Sequence, residues 1–209
     1  MYSIFVPSER EAEAIFESDS FTTQDGFKGL YYKDQFVTVT GVGKVNAAIT
    51  LARYLSSHPS STPLLIGIAG AYKGTIDVGT VCAIDYDHFV DEALYTQNPP
   101  KITGTHEIGF PICPENRIKL ALPSIELPIY SANTVSMLSS TDELAELYHK
   151  KTGAAVESME GAAFALAAAN FNVQVAQIRA ISNYCGERSA QQWNIKKAIR
   201  AIQDILRIL

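Results

Sequence analysis

Short β-strand patterns alternate with helical patterns along the whole chain, and this alternation restricts the fold to a layered α/β architecture. Six runs rich in β-branched or large apolar residues predict the strands. They are Tyr2–Val6, Phe36–Thr40, Leu64–Ile68, Val81–Asp85, Leu127–Ser131 and Val173–Ile181. We therefore expect a three-layer αβα fold with a central mixed, twisted sheet.

Helical patterns lie between these strands. The predicted helices are Ser8–Glu17, Lys44–Ser57, Asp142–Lys151, Glu160–Ala169 and Gln192–Leu209. Ser8 and Glu11 have the spacing of a capping box, as do Ser140 and Glu143. No linker interrupts the pattern, so residues 1–209 are predicted to form a single domain. The segment Asp87–Pro123 is the least regular and is a candidate lid or subunit contact.

Composition and charge narrow the class of partner. The formal net charge is -5 and no run of Lys or Arg stands out, which argues against binding to nucleic acid or to an anionic membrane. We expect a small-molecule partner. The three cysteines lack metal or disulfide spacing, so we expect no metal, no cofactor and a reducing compartment. Without a basic leader or a long apolar stretch, the cytoplasm is the expected location.

Two glycine-rich turns follow predicted strands. In TGVGKVNAA, Thr40–Ala48, the turn could hold an anion on free backbone N–H groups, or could simply be a tight strand-to-helix connection. In LIGIAGAYKG the strand ends in Ala69 and Gly70, whose small size lets a planar ligand approach the backbone. Close helix–sheet packing is an equal alternative for this second turn.

A pair of carboxylates precedes the alanine-rich helix. Glu157 and Glu160 bracket Met159, and carboxylates beside so apolar an element need partners if they are buried. They are either solvated groups near a helix N-terminus or groups that face a polar ligand. A ribose diol would suit one of them, because a carboxylate accepts two hydroxyl hydrogen bonds at once. Met159 could pack on a sugar or base, or lie in the core.

The last predicted strand leads into the polar pair Ser182-Asn183. Such a pair at the end of a buried strand is a candidate site, although Asn is also an ordinary turn residue. Arg179 lies inside the strand and needs a carboxylate partner if it is buried. The candidate partners are Glu11, Glu157 and Glu160.

These four motifs, in this order, resemble the nucleosidase branch of the purine nucleoside phosphorylase superfamily. That branch includes methylthioadenosine/adenosylhomocysteine nucleosidases and futalosine hydrolases. VESMEGAAFALA, EIGFP and SNY are more similar to the futalosine hydrolase pattern, while Ser8 and Ile68 depart from the adenosine-type enzymes. The resemblance implies a nucleoside phosphorylase-like fold and hydrolysis of a purine nucleoside, in futalosine hydrolases as part of menaquinone biosynthesis.

The resemblance also implies roles for the acidic residues. Glu160 matches the residue that holds the ribose 2′- and 3′-hydroxyls, with Glu157 as a supporting residue or alternate. Glu11 matches the residue that activates the attacking water, with Glu9 as the fallback. The alternative for Glu11 is structural, because its side chain could reach back to the Ser8 amide as a capping box.

Asn183 stands where adenosine-type nucleosidases carry the aspartate that protonates the purine N7. An amide cannot deliver that proton, but it offers NH2 donors and a carbonyl acceptor. Asn183 could donate to O6 of hypoxanthine and accept from N7–H. We therefore predict 6-oxopurine nucleosides, of the inosine type, as substrates.

The remaining expected contacts surround the nucleoside. Ala69 and Gly70 would line the purine, with Val135 and Met159 as apolar walls. Gly43, Arg179 and Ser182 are expected to support the substrate-contacting residues from behind. The family often completes its site across a homodimer contact, which makes Phe110 and Pro111 candidates from a neighbouring subunit.

Three alternatives stay open. A phosphorylase would need cations for phosphate, but the arginine that phosphorylases place before the AG turn is absent from PLLIGIAG, leaving Arg10 and Lys44 nearby. An adenosine-type nucleosidase is the second alternative, and a non-enzymatic relative with a dispersed site is the third. Four basic residues are candidates for binding the carboxylate of futalosine's aromatic tail. They are Lys101, His106, Arg117 and Arg188.

Overall fold

The computed structural model describes residues 2–208 and contains a ten-stranded mixed sheet and a separate two-stranded hairpin. The strands of the large sheet are β1 (Ser3–Val6), β2 (Thr22–Gln24), β3 (Phe27–Tyr32), β4 (Gln35–Val39), β5 (Pro63–Ala71), β6 (Val81–His88), β9 (Arg117–Lys119), β10 (Ile129–Thr134), β11 (Val156–Ser158) and β12 (Ala176–Tyr184). The hairpin consists of β7 (Ala93–Gln97) and β8 (Pro100–Gly104).

Five α-helices in the described part of the chain cover this sheet. They are α1 (Glu9–Phe16), α2 (Lys44–Ser57), α3 (Asp142–Thr152), α4 (Gly161–Ala169) and α5 (Ile195–Leu206). Each predicted helix is therefore present with its ends shifted by a few residues at most, and Leu209 of the last prediction lies outside the described residues. Ser8 caps α1 as expected, but α3 is capped by Thr141, whose side chain accepts from Leu144 N, and not by Ser140.

Alternate side chains of the central strands point to opposite faces of the sheet, as the pleat requires. Ile4 and Val6 of β1 pack with α1 and α5, whereas Phe5 between them packs with α2 and α4. Leu64 and Ile66 of β5 likewise face α1 and α5. The sheet thus lies between two helical layers, which confirms the mixed α/β prediction.

One edge of the sheet closes on itself. The strand order is β11-β10-β6-β12-β5-β1-β4-β3-β2, and β11 also pairs with β5 in antiparallel register, with Glu157 opposite Gly70. Both parallel and antiparallel pairs occur, for example β12 parallel to β5 and antiparallel to β6. This closure brings the acidic segment after β11 to the carboxyl end of β5, where open α/β sheets tend to bind ligands.

Several strand predictions were incomplete. The six predicted strands exist, but six others were missed: β2, β3, β7, β8, β9 and β11. The segment Asp87–Pro123 is less irregular than expected, because the β7–β8 hairpin lies within it. Val173–Ile181 is shifted, since β12 begins at Ala176 and continues through Ser182 and Asn183 to Tyr184. Within residues 2–208, no helix has the length and apolar character needed to cross a membrane.

Candidate active site

A cavity of about 310 Å³ lies at the carboxyl ends of β5 and β12, between the start of α1 and the segment that joins β11 to α4. The three predicted catalytic residues, Glu11, Glu160 and Asn183, line it together. The predicted substrate contacts Ala69, Gly70, Glu157 and Met159 also line it, as does Ser182. Chain segments far apart in sequence therefore meet in one cavity of about nucleoside size.

Glu11 is held by two donors on different elements. The Ile68 backbone N–H donates to Glu11 Oε1 at 3.0 Å, and the Ser8 hydroxyl donates to Oε2 at 2.8 Å. The Ser8 side chain also accepts from the Glu11 amide, so the cap forms without the carboxylate reaching the Ser8 amide. Burial raises the pKa of Glu11, against the hydrogen bonds from Ile68 and Ser8 and the nearby charge of Arg179.

Glu9, the fallback for the same role, lies away from the cavity. Its carboxylate forms an ion pair with Lys28 at 2.7 Å, with both side chains about half exposed. Of the two glutamates on the first turn of α1, Glu11 is thus the one that lines the cavity.

Glu160 is buried and bound on both carboxylate oxygens. Arg179 Nη2 donates to Oε2 at 3.2 Å, and the Gly43 backbone N–H donates to Oε1 at 3.0 Å. Gly43 precedes α2 with a φ of 93°, a conformation that favours glycine, so the GVGK turn aims its N–H at Glu160. The sequence left open whether this turn binds an anion or is a simple tight connection, and the structure shows its Gly43 N–H donating to an internal carboxylate.

Glu157 lines the cavity but is occupied by protein donors. Ser139 donates its amide to Oε1 at 3.0 Å and its hydroxyl to Oε2, and the Tyr72 hydroxyl donates to Oε2 at 3.1 Å. Burial raises the pKa of Glu157, and these hydrogen bonds oppose the rise. Glu157 thus accepts from three protein donors, whereas Glu160 accepts from two, one on each oxygen, which leaves each Glu160 oxygen a further acceptor position for a ribose hydroxyl.

A β-bulge at Ser182 aims Asn183 into the cavity. β12 pairs Ile181 with Ala69 and Asn183 with Gly70, so Ser182 is an extra residue relative to β5. The Ser182 hydroxyl lies 2.8 Å from Asn183 Oδ1, and Asn183 Nδ2 donates to the Tyr184 carbonyl at 3.2 Å. These contacts define which end of the amide is the acceptor, and they leave one Nδ2 hydrogen for a ligand.

Gly67 is a further residue that the site requires and that was not predicted from the sequence. A Cβ at this position would lie 2.9 Å from both Arg179 Nη1 and Glu11 Oε1. Because Gly67 has no side chain, the guanidinium of Arg179 and the carboxylate of Glu11 can approach each other over β5. Glycine inside an otherwise branched apolar run, LLIGIAG, was the available signal.

A further buried carboxylate, Asp87 on β6, was also missed. Asp87 accepts from the Thr134 hydroxyl at 2.7 Å and from Gln177 Nε2 at 3.3 Å, and Thr134 in turn accepts from the Ala162 amide in the first turn of α4. Burial raises the pKa of Asp87 to about 6, opposed by these hydrogen bonds and by the positive charge of Arg179. Asp87 lies just beyond the predicted strand Val81–Asp85, at the start of the segment predicted to be irregular, and it gave no sequence signal of its own.

Three predicted contacts do not line the cavity within this chain. Val135 is fully buried in a separate cluster with Tyr72 and Tyr148. Phe110 is 74% exposed, and Pro111 beside it is exposed too, so a contact from this segment would require a second subunit. Val135 is not among the residues that line the cavity, so the lining does not support its predicted role as an apolar wall of the nucleoside site.

The basic candidates differ in their surroundings. Lys44, the lysine of the GVGK motif, forms ion pairs with Asp91 and Glu92. Its charge is therefore already paired within the protein. Arg117 pairs with Glu115. Lys101, His106 and Arg117 do not line the cavity, whereas Arg10 does. Among residues 2–208, no group of three or more His, Cys, Asp or Glu side chains is arranged to hold a metal ion.

Comparison with known proteins agrees with this architecture. Residues 4–209 match the family model of the Phosphorylase superfamily. Futalosine hydrolase of Thermus thermophilus is 32% identical over 217 aligned positions, covering 100% of this chain and 95% of that protein. A 5'-methylthioadenosine/S-adenosylhomocysteine nucleosidase of Mycobacterium bovis is 26% identical, covering 76% of this chain and 72% of that protein.

Solved structures share the fold. Native futalosine hydrolase of Helicobacter pylori has a TM-score of 0.75 at 17% identity, covering 99% of this chain and 95% of that one. A 5'-methylthioadenosine/S-adenosylhomocysteine nucleosidase of Colwellia psychrerythraea, in complex with adenine, has a TM-score of 0.74 at 18% identity, covering 98% and 92%. The chain thus belongs to the Phosphorylase superfamily, in the nucleosidase branch that contains the futalosine hydrolases.

Proposed function

We propose that this protein is a futalosine hydrolase-type nucleosidase that cleaves the N-glycosidic bond of a 6-oxopurine nucleoside with water and releases hypoxanthine. The observation that carries the proposal is the convergence of Glu11, Glu160 and Asn183 on one cavity. A relative that had kept the fold without the chemistry would have no reason to keep these three groups together.

Glu11 is proposed to activate the attacking water. A general base must accept a proton near neutral pH, and burial raises the pKa of Glu11 in the direction that makes it a better base. The Ile68 amide and the Ser8 hydroxyl fix the orientation of the carboxylate without neutralising it. Glu9 has no comparable position, since it pairs with Lys28 at the surface.

Glu160 is proposed to bind the ribose hydroxyls. As the glycosidic bond breaks, the sugar develops the positive charge of an oxocarbenium ion, which a nearby carboxylate stabilises. Arg179 and the Gly43 amide hold Glu160 in one position, so little reorganisation is needed during the reaction. Glu157 would support the site indirectly, by holding the Ser139 loop in place through a hydrogen bond from the Ser139 amide.

Asn183 is proposed to recognise the leaving purine. Its free Nδ2 hydrogen can donate to O6 of hypoxanthine. The attacking water supplies OH to C1′ and, in net terms, a proton to the departing base, and Oδ1 can accept from N7–H once that proton is on N7. An adenine would present a 6-amino donor where Asn183 also donates. A mismatch of this kind, which leaves buried polar groups unpaired, can reduce the rate by ~10⁴-fold.

Measured release of the free base tests the proposal. Purified protein is incubated with futalosine, inosine and methylthioadenosine, with and without inorganic phosphate, and the base and sugar products are separated by chromatography. We expect hypoxanthine from futalosine at a rate independent of phosphate. Faster cleavage with phosphate and a ribose-1-phosphate product would indicate a phosphorylase, whereas adenine release at a matching rate would indicate an adenosine-type nucleosidase.

The adenosine-type alternative draws support from the Mycobacterium bovis relative and from the Colwellia psychrerythraea structure with adenine. Against it stands Asn183, an amide at the position of the expected proton donor. We further propose a place in menaquinone biosynthesis, a cytoplasmic location and a homodimer that uses Phe110 and Pro111 near the partner's site. The homodimer is tested by the sedimentation coefficient of the purified protein.

A further inference from the structure

Glu160 occupies the N-cap position of α4, but its side chain does not cap the helix. A capping side chain normally accepts from the backbone N–H of the second or third helical residue, here Ala162 or Ala163. Within residues 2–208, the Glu160 carboxylate makes no such hydrogen bond and is bound by Arg179 and the Gly43 amide instead. The first turn of α4 therefore needs an acceptor from elsewhere in the protein.

Thr134, the last residue of β10, supplies that acceptor. Its hydroxyl oxygen accepts from the Ala162 amide at 2.8 Å, and the hydroxyl donates to Asp87 Oδ1 at 2.7 Å. Because the hydroxyl hydrogen points to Asp87, a lone pair of Thr134 Oγ1 is left facing the helix. A side chain of the sheet thus does for α4 what the N-cap residue itself does in many helices.

Asp87 links this cap to the strand that carries Arg179. Its Oδ2 accepts from Gln177 Nε2 at 3.3 Å, and Gln177 lies two residues before Arg179 on β12. Asp87 also lies against the backbone of Gly161, where a Cβ would overlap Asp87 Oδ2 and Gln177 Oε1. Asp87 and Thr134 are fully buried, and neither lines the cavity. Any effect of these two residues on a bound nucleoside must therefore be indirect.

We propose that Asp87 and Thr134 are positioning residues that determine where Glu160 meets the ribose hydroxyls. The proposal rests on the proposed function, in which Glu160 binds the ribose. By capping α4 from β10, the two residues leave the Glu160 carboxylate free for the cavity and fix the start of the helix. The Glu160 carbonyl accepts from the Phe164 amide at 2.9 Å, so the Glu160 backbone moves with this first turn.

The test compares two substrates in one variant. Thr134→Val removes the hydroxyl with little change of shape and places a methyl group against the Ala162 amide, so the first turn of α4 should shift. We measure kcat/KM for futalosine and for its 2′,3′-dideoxy analogue, which has no hydroxyl for Glu160 to bind. A small misplacement of a positioned group can cost ~10²-fold, so kcat/KM for futalosine should fall by ~10–10²-fold. The analogue should stay within about twofold of its wild-type value.

Three comparisons separate positioning from general destabilisation. Thr134→Ser keeps the hydroxyl and should restore futalosine cleavage to near the wild-type rate. In a Glu160→Ala background, Thr134→Val should cause no further loss, since both changes remove the same contact. Thr141→Val, which removes the cap of α3 outside the cavity, is the matched control. It should lower the melting temperature without changing the futalosine-to-analogue ratio.

A second pair of variants tests the inference if Thr134→Val does not fold. Asp87→Ala removes the acceptor of the Thr134 hydroxyl, whereas Asp87→Asn retains an oxygen in its place. Asp87→Ala should lower the futalosine-to-analogue ratio, and Asp87→Asn should not. The inference is overturned by an equal loss on both substrates, by additive effects of Thr134→Val and Glu160→Ala, or by wild-type ratios in both Thr134→Val and Asp87→Ala.

The failure of this inference differs from the failure of the proposed function. If Glu160→Ala lowers the ratio and Thr134→Val does not, the positioning role is wrong and the hydrolase stands. If the protein cleaves methylthioadenosine and not futalosine, the 6-oxopurine assignment fails, and methylthioadenosine with its own 2′,3′-dideoxy analogue decides the inference. If Glu160→Ala leaves the ratio unchanged, the proposed role of Glu160 fails and the inference falls with it.

Discussion

Arg179 Nη2 lies 3.2 Å from Glu160 Oε2, and both side chains are almost completely buried, with 1% and 5% of their surface exposed. The arginine enters from the middle of β12, while the glutamate immediately precedes α4. Arg179 Nη1 also donates to the Ile68 carbonyl at 3.3 Å, beside the amide that holds Glu11. One guanidinium thus links the two carboxylates that are proposed to bind the ribose and to activate water.

Removing this guanidinium should destabilise the fold. Arg179→Met leaves Glu160 buried without its cation, and breaking a buried pair from one side typically costs about 3–5 kcal/mol. The check is the free energy of unfolding from urea titration. Arg207→Met, which removes an exposed pair with Asp204, is the control and should change stability by about 1 kcal/mol or less. Equal effects of the two variants would contradict the prediction.

Glu11→Gln should lower kcat by ~10²–10⁴-fold, the usual contribution of a general base, without loss of stability. The amide oxygen of Gln can still accept from the Ile68 amide, so the local structure is retained. Glu9→Gln, on the same turn but paired with Lys28, is the matched control and should keep wild-type rates. Comparable losses in both variants would argue against Glu11 as the base.

The pH dependence of kcat/KM follows from the same residue. A base must be ionised, so activity is lost as the pH falls through its pKa, and burial raises the pKa of Glu11 above its usual value. We expect the acid limb of the profile to lie above the ordinary Glu range, near 4.3 on model peptides. An acid limb at or below that ordinary value, measured with hypoxanthine release, would be inconsistent with a buried base.

Asn183→Asp should shift substrate preference toward adenosine-type nucleosides. The new carboxylic acid can protonate N7 of adenine, while it loses the NH2 group that donates to O6 of a 6-oxopurine. The ratio of kcat/KM for futalosine to that for methylthioadenosine should fall by on the order of 10²-fold or more. A ratio that stays constant would remove the basis for the 6-oxopurine assignment.

Gly67→Ala should impair catalysis more than stability. Its methyl group would press on Arg179 Nη1 and Glu11 Oε1, each 2.9 Å from the added Cβ, and such overpacking costs about 1–3 kcal/mol. Gly74→Ala is the control: it has open space but a φ of +81°, so it costs stability by backbone strain away from the cavity. We expect similar melting temperatures for the two variants but a large fall in kcat for Gly67→Ala alone.

Asp87→Asn should change how stability depends on pH. Burial raises the pKa of Asp87 to about 6, so the folded state holds the proton more tightly than the unfolded chain does. The native stability therefore falls as the pH rises from about 4 to about 6, by roughly 3 kcal/mol in total. Arg179 and Glu160 are the charged groups that act on this carboxyl, and both remain in the variant.

The asparagine is neutral and has nearly the same shape. Its amide can pair with Gln177, whose Oε1 has no hydrogen-bond partner in the described chain, once the Gln177 amide turns. Asp87→Asn should thus be more stable than the wild type at pH 8 and close to it at pH 4, by urea titration at both values. A uniform loss of stability at both pH values would show that the hydrogen bonds of Asp87 outweigh its burial.

Much of the fold could be read from periodicity. The helix Lys44–Ser57 has the predicted ends, because a glycine turn precedes it and His58-Pro59 stops it. Short edge strands such as β2 and β9 escaped prediction, since three residues carry no measurable alternation. The bulge at Ser182 also escaped, because it depends on the register with β5.

The sequence by itself determined the chemical groups of the candidate site: Glu11, Glu160, Asn183 and a buried arginine that required an acidic partner. Only the tertiary structure decided which acid that partner is, since Glu11, Glu157 and Glu160 were equal candidates by charge. The pairing of β11 with β5 placed Glu160 against Arg179 and Gly43, and left Glu157 to Ser139 and Tyr72. Partners in a buried site are selected by strand register and close approach, which act between segments distant in the chain and leave no local pattern.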